Sequence, residues 1–225
     1  VNSIRDKLAS HPVFDNLPPP TLDNIIRYAI YKIYTTGEIL VHQGDVWPYL
    51  FYVEAGGINA VKESFQGRAL IATTLKEDEF FWGLAFFIED TPMPVLLQAE
   101  TETRLYLWSR ERLLPVILGN GSVAWNLCQI MVRRMQEASG IVEELAFQPV
   151  MGRLAGLLLE LYGDAEDEFK TRQYTLDEMA ARIGTSREMV CRHLYRFAEK
   201  GAIEIRRTEL RISDRQLLED HLGKR

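Results

Sequence analysis

Residues 175–201 read TLDEMAARIGTSREMVCRHLYRFAEKG, two short helical segments around a glycine, with arginines on the outward side of the second. Thr175 and Glu178 have the spacing of a capping box, in which hydroxyl and carboxylate satisfy the first free N–H groups of a helix. Leu176, Met179, Ala180 and Ile183 then recur at helical spacing on one face, and Gly184 stops the segment. Thr185 with Glu188 repeats the box, and Val190, Leu194, Phe197 and Ala198 mark the buried side of the second helix. That leaves Arg187, Glu188, Cys191, Arg192, Tyr195 and Arg196 facing outward. Two helices this short, joined by a tight turn, match the motif whose second helix enters the DNA major groove with its N-terminal residues on base edges.

The outward side chains suit that task. An arginine can donate a fork of hydrogen bonds to O6 and N7 of guanine, and a glutamate can accept from the amino group of cytosine. Arg187, Glu188 and Arg192 form the candidate base-reading set, and Thr185, Ser186 and Arg196 flank it as candidates for the phosphate backbone. A solvated face with a Glu188–Arg192 ion pair would account for the second helix taken alone. The preceding helix and turn favour DNA. Downstream, IEIRR and ELRIS read as a hairpin turning near Thr208, with Ile203 and Ile205 opposite Leu210 and Ile212. This makes a winged helix, and Arg206, Arg207 and Arg211 stand where phosphates would pass.

Working back toward the N-terminus, GDAEDEFKTR is a solvated acidic loop, VMGRLAGLLLELYG an amphipathic helix, and Pro149 the break before it. From Val123 to Phe147, Cys128, Met131, Met135, Ala138, Val142 and Leu145 alternate in steps of three and four, a coiled-coil seam on a long helix. An ordinary helix packed on its own domain has the same pattern. Its position between a sensor-like barrel and a DNA reader favours a dimer axis, because one helix-turn-helix covers one half-site. From about Ile33 to Trp108 the chain changes to short β runs punctuated by GD, GG and QG turns, an antiparallel barrel or roll. Before it come short helices broken by Pro12 and Pro18–Pro20, with Thr21 as N-cap.

Composition sets bounds. The chain has 225 residues and 47% hydrophobic content, enough for one or two domains with sizeable cores. Its longest apolar run, Phe80–Ile88, falls well short of the roughly 20 residues of a membrane span, so no membrane partner and a cytoplasmic location are expected. Cys128 and Cys191 are too few for a disulfide framework or zinc knuckle, and His11, His42, His193 and His221 are scattered, so no metal site is expected. The net charge of −6 divides unevenly: residues 1–170 hold 14 Lys and Arg against 23 Asp and Glu, and residues 171–225 hold 12 against 9. An acidic body with a basic end confines polyanion affinity to the part carrying the motif.

With these features in place, nearly the whole chain resembles the CRP/FNR family of bacterial transcription regulators. The resemblance is carried by HQGD at 42–45, LAF at 145–147, GRLA at 152–155, and above all SRE at 186–188 with Arg192. It implies an α+β chain with a cyclic-nucleotide-binding-type antiparallel β-roll at 1–118, a long dimerisation helix at 119–148, and a winged helix-turn-helix at 149–225. It also implies a homodimer on a palindromic, TGTGA-like site in double-stranded DNA, with Arg187 and Arg192 on guanines, Glu188 on a cytosine, and RNA polymerase as a further partner if the protein is an activator.

The effector pocket departs from the pattern. Relatives that bind cyclic AMP use a Gly-Glu pair for the ribose, an Arg-Ser pair for the phosphate and a Thr-Ser pair for the adenine. The matching positions here are Gly83 with Leu84, Met93 with Pro94, and Ala138 with Ser139. Without the arginine a buried cyclic phosphate loses charge-assisted bonds, so cyclic AMP bound in the usual way is not expected. The surrounding residues, including Phe81 and Trp82, are apolar and either fill the roll or hold an apolar or aromatic effector. Haem would have only His42 and Met93 as ligands, an iron–sulfur cluster would need more cysteines, and a thiol sensor would rely on Cys128 and Cys191. A sensor module acting on a protein partner is the alternative binding function. An enzyme such as a cupin-like oxygenase would need clustered His and Glu ligands, and no catalytic residue is assigned.

Overall fold

The computed structural model describes residues 4–64, 67–163 and 168–222. The acidic loop expected at 163–172 includes residues 164–167, which lie outside the described residues. The chain forms two compact units, residues 1–62 with 72–137 and residues 63–71 with 138–225.

The N-terminal half begins with α1 (Ile4–Ser10) and α2 (Pro19–Arg27). The strands are β1 (Ile30–Tyr34), β2 (Ile39–Val41), β3 (Tyr49–Ala55), β4 (Ile58–Glu63), β5 (Ala69–Leu75), β6 (Phe80–Trp82), β7 (Leu96–Ala99) and β8 (Thr103–Ser109), with the single-turn α3 (Leu84–Phe87) after β6. Then come α4 (Arg110–Gly119) and the long α5 (Gly121–Phe147). The strands make two four-stranded sheets, ordered β1-β8-β3-β6 and β2-β7-β4-β5, the antiparallel roll that the turn signals predict.

β3 shows how the roll is built. Leu50, Phe51, Tyr52 and Val53 are all fully buried, an unbroken apolar run where a half-exposed strand would alternate. Leu50 and Tyr52 point to a cluster with Leu8, Phe14, Ile25, Trp108 and Val123, so the helices cover that face. Phe51 and Val53 point the other way, to Val41, Ile58, Leu97 and Met93 between the two sheets. The buried Trp108 indole donates its N–H to the Ile25 carbonyl at 2.8 Å, which satisfies the polar end of a large apolar side chain.

One local expectation, Thr21 as N-cap, is corrected, and two runs prove to be divided. The apolar run at Phe80–Ile88 is divided between β6 and α3, which periodicity alone could not separate. α2 is capped by Pro18, with prolines in its first turn, and Thr21 lies inside the helix, because a proline in the first turn forgoes only an N–H that would be unpaired anyway. The segment 33–41 is split by the turn at Thr35, whose N–H and hydroxyl both donate to the Glu38 carboxylate.

The C-terminal unit adds α6 (Val150–Tyr162), β9 (Lys170–Thr171), α7 (Leu176–Arg182), α8 (Arg187–Glu199), β10 (Ile203–Ile205), β11 (Glu209–Ile212) and α9 (Arg215–Glu219). Its core joins Leu154, Leu158 and Tyr162 of α6 with Met179, Val190, Leu194, Phe197, Ile203, Leu210 and Leu218. In the wing Ile203 pairs with Ile212 and Ile205 with Leu210, the register read from the sequence. β9 adds a third strand on β11, too short to carry a sequence signal.

Candidate nucleic-acid interface

The helix-turn-helix is held by interactions that fix its two ends and its turn. At the start of α7 the Glu178 N–H donates to Thr175 Oγ1 at 3.2 Å, and the Thr175 N–H donates to the Glu178 carboxylate at 2.7 Å, the reciprocal box in full. The second box does not form. Ser186 caps α8 and accepts from the Met189 N–H, because Gly184 and Thr185 are spent on the turn, where the Thr185 N–H reaches back to the Ala180 carbonyl. Gly184 has φ +63°, and a Cβ there would lie 2.5 Å from Leu145 Cδ2, so both backbone and packing call for glycine. Arg153, buried at 7% exposure, donates to the Ile183 carbonyl at 2.8 Å and to the Gln148 carbonyl at 2.6 Å. It thereby ties the last residue before the turn to the end of α5.

α8 buries Val190, His193, Leu194 and Phe197 and leaves Arg187, Glu188, Arg192, Tyr195 and Arg196 exposed, with Cys191 half-buried among them. Among the described residues Glu188 and Arg192 make no ion pair, so the internal pairing of a merely solvated face is missing. Arg187 does have a partner, Asp177 at the start of α7, at 3.1 Å. In the wing Arg206 is likewise paired with Glu209 and Arg211 with Glu204, and both also lie against an aromatic ring. Arg206 lies 3.5 Å from the Phe169 ring centre and Arg211 4.9 Å, while Arg207 is exposed. Such stacking keeps the guanidinium charge and limits its rotamers.

His193, on the inner side of α8, was not singled out from the sequence. Its Nδ1 is buried and without a hydrogen-bond partner among the described residues. Burial pushes its pKa below the usual histidine value, and Arg196, Arg192 and His221 push the same way.

The expected effector residues can also be placed. Met93 is 2% exposed in the core between the two sheets, its main chain bonded to Gly44 and Asp45 of the HQGD turn. Pro94 is exposed, and its carbonyl accepts from Lys62 Nζ at 2.8 Å. Gly83 is buried against the Trp47 carbonyl, which a Cβ would overlap, and Leu84 begins α3 half-buried. The Phe81 and Trp82 rings stack at 5.3 Å, and Arg134 of α5 lies 5.9 Å from Phe81 while paired with Glu79 and Glu137. Ala138 and Ser139 are exposed on α5. A cavity of about 260 Å³ that the sequence did not point to opens between the N-terminal segment, the β5–β6 turn and α5, lined by His11, Phe80, Asn126, Ile130, Arg133 and Glu137. Among the described residues no three His, Cys, Asp or Glu side chains cluster as metal ligands, and no single helix is long and apolar enough to cross a membrane.

Along α5 Trp125, Val132, Met135 and Val142 are exposed, with Cys128 exposed between the first two and Phe147 exposed at the helix end. From Trp125 to Val142 the steps of three, four and seven place these side chains in one exposed stripe. Met131 and Leu145, expected in that seam, are half-buried by their own chain, and Trp125 and Val132 were not on the expected list. The available signal was spacing, since Trp125, Cys128, Val132 and Met135 follow one another in steps of three and four.

A β-roll, a long helix and a winged helix with an exposed, arginine-bearing recognition helix define a two-part regulator, a sensor domain joined to a DNA-binding domain. Residues 31–120 match the family described as cyclic nucleotide-binding domain, and residues 152–221 the family described as Crp-like helix-turn-helix domain. Over 210 residues the chain is 29% identical to the cyclic AMP receptor protein of Thermus thermophilus, covering 93% of this chain and 95% of that one. It is 27% identical over 188 residues to the cAMP-activated global transcriptional regulator CRP of Salmonella typhimurium, covering 82% and 90%. The fold is similar to a crystal structure of a CRP/FNR-family transcriptional regulator from Eubacterium rectale, with a TM-score of 0.81 at 21% identity over 95% of this chain and 98% of that one. The chain belongs to the CRP/FNR family and is a transcription regulator with a helix-turn-helix DNA-binding domain and an effector-binding domain. The family consists of transcription regulators, not enzymes.

Proposed function

We propose that the protein acts as a homodimer on an inverted-repeat, TGTGA-like DNA site, with Arg187 and Arg192 on guanines and Glu188 on a cytosine. The observation that carries this reading is the recognition helix. Its three candidate readers are exposed on the first two turns of α8, and Glu188 and Arg192 are uncommitted to each other. The exposed stripe on α5 supplies a dimer axis, and two-fold symmetry then sets the two half-sites one helical turn apart, roughly 34 Å. Thr185, Ser186, Arg196, Arg206 and Arg207 hold the phosphates. The sensor domain comprises residues 1–118, the dimer helix 119–148 and the reader 149–225, and as an activator the dimer also contacts RNA polymerase. Selection from a random duplex library, with sedimentation of the complex, tests this: the expected product is a palindrome bound by two chains, and a single asymmetric site bound by one chain refutes it.

The effector in this reading is not cyclic AMP, although relatives carry that ligand in their names. Leu84, Met93, Pro94 and Ala138 offer no side-chain donor, and Met93 fills core volume where a cyclic phosphate would need a charge. Arg134 is already bonded to Glu79 and Glu137, so recruiting it would break two ion pairs. An apolar or aromatic effector packing on Phe81 and Trp82 and displacing the adaptable Met93 suits the site better, at roughly 25 cal/mol for each Å² buried. Calorimetry with cyclic AMP and cyclic GMP, alongside DNA binding with each, decides the matter. Micromolar binding of either nucleotide with a large gain in DNA affinity overturns the assignment.

A further inference from the structure

Asp177 is out of place on a surface built for a polyanion. It lies in the first turn of α7, in a groove of about 480 Å³ that also includes Arg172, Thr175, Arg187 and Thr208. A carboxylate in a first helical turn often serves the helix itself, by capping or by facing the dipole. Here the capping box is already complete with Thr175 and Glu178. The Asp177 carboxylate instead crosses the turn to Arg187, ten positions on, and among the described residues Arg187 is its one side-chain partner.

We propose that Asp177 is a positioning residue that sets the sequence specificity of this regulator by holding Arg187. The proposal rests on the reading of Arg187 as a base-contacting side chain. A guanidinium carries five N–H donors in a planar fork, and the contact to Asp177 uses one of them, on Nη1. Enough remain for the two bonds that guanine O6 and N7 accept, so Arg187 can hold Asp177 and guanine together. Non-cognate DNA presents a different competition. There Arg187 would serve as a loose counter-ion to the nearest phosphate, but its charge is already matched by Asp177, which also repels that phosphate. Nonspecific binding therefore loses about one phosphate neutralisation, while the guanine contact is kept and better aimed. Both side chains are about two-thirds exposed, so the pair stabilises the free protein little. Its effect appears when the DNA excludes water.

The test is Asp177→Asn, which keeps the shape and removes the charge at an exposed position. Affinities for the library-selected site and for a scrambled duplex are measured by fluorescence anisotropy between 50 and 200 mM salt. One added phosphate neutralisation steepens the nonspecific salt slope by about 0.9 and strengthens nonspecific binding about eightfold at 0.1 M salt. Affinity for the selected site rises less than about twofold, so the ratio of specific to nonspecific binding falls at least about fourfold. In an Arg187→Ala background the same substitution leaves the ratio unchanged. An equal rise on both duplexes overturns the proposal, since Asp177 is then a plain repulsive charge, as does no change on either. An undiminished effect of Asp177→Asn without Arg187 overturns it too. Full guanine preference in Arg187→Ala alone removes the premise, an outcome told apart because it comes from Arg187 without any change at Asp177.

Discussion

The seam on α5 gives the sharpest quantitative test. Met135 is 66% exposed in the single chain, near the middle of the stripe formed by Trp125, Cys128, Val132 and Val142. Full burial of a methionine side chain stabilises by about 1.5–3 kcal/mol, so covering the exposed two-thirds is worth about 1–2 kcal/mol per protomer and about 2–4 kcal/mol across a two-fold axis. Met135→Glu removes that gain twice and places two carboxylates near the axis, where desolvation and mutual repulsion add several kcal/mol. A total of about 5 kcal/mol or more weakens dimerisation by about three to four powers of ten. Equilibrium sedimentation from 0.1 to 100 µM follows this directly. The expected variant is a folded monomer with an unchanged far-UV spectrum, binding a half-site as well as a full site. A Met135→Glu protein that stays dimeric at low micromolar concentration refutes the seam and with it the geometry of the palindrome.

Four further outcomes are expected. Arg187→Ala and Arg192→Ala each cost about 1–3 kcal/mol on the selected site and relax its base preference, whereas Arg206→Ala and Arg207→Ala weaken all duplexes alike; salt titrations on matched and scrambled DNA separate the classes. Mild oxidation links two chains through Cys128 if the stripe meets its copy, and Cys128→Ser abolishes the cross-link on a non-reducing gel; a cross-link that survives points to Cys191. Arg153→Met leaves the Ile183 and Gln148 carbonyls without their donor, each loss costing about 1–3 kcal/mol, and urea unfolding of the variant should show a loss in that range or above. The depressed pKa of His193 means that the native state takes up fewer protons than the unfolded chain, so its contribution to stability is complete above about pH 6.5 and is lost as pH falls through the lower folded value. Unfolding midpoints should therefore drop on acidification, and a His193→Leu protein whose midpoints drop as steeply would exclude His193 as the cause.

What the sequence made legible follows from how locally each feature is determined. The capping box at Thr175 and Glu178 needs two residues three apart, and the wing register needs only alternation on both sides of a turn; both appear in the structure as read. The box at Thr185 failed because the same few residues had to make a turn, and a backbone bond from Thr185 to Ala180 moved the cap to Ser186. β6 and α3 could not be told apart in advance, since Phe80–Ile88 is apolar on every side and carries no period. Of the residues expected along the seam, Cys128, Met135, Ala138 and Val142 are exposed and Met131 and Leu145 are half-buried. Met131 and Val132 are equally apolar in the sequence, and only the packing of the roll decides which faces outward.

Arg153 shows why the rest stayed hidden. GRLA at 152–155 was visible as a family feature, yet nothing in four letters says that the arginine is buried or that its two carbonyl partners lie five residues before it and thirty after it. A buried cation keeps both carbonyls only where both stay in place, so Gln148 at the end of α5 and Ile183 at the turn are fixed with respect to each other through one planar side chain. Leu145 packs against Gly184 one residue further on, and the turn admits no Cβ there. The end of the long helix and the turn before the recognition helix thus meet at a charged contact and an apolar one, neither of which can slide without leaving a polar group unpaired or a glycine crowded. The helix end and the turn are therefore held as one piece, and sequence spacing could not reveal this because the partners are brought together only by the fold.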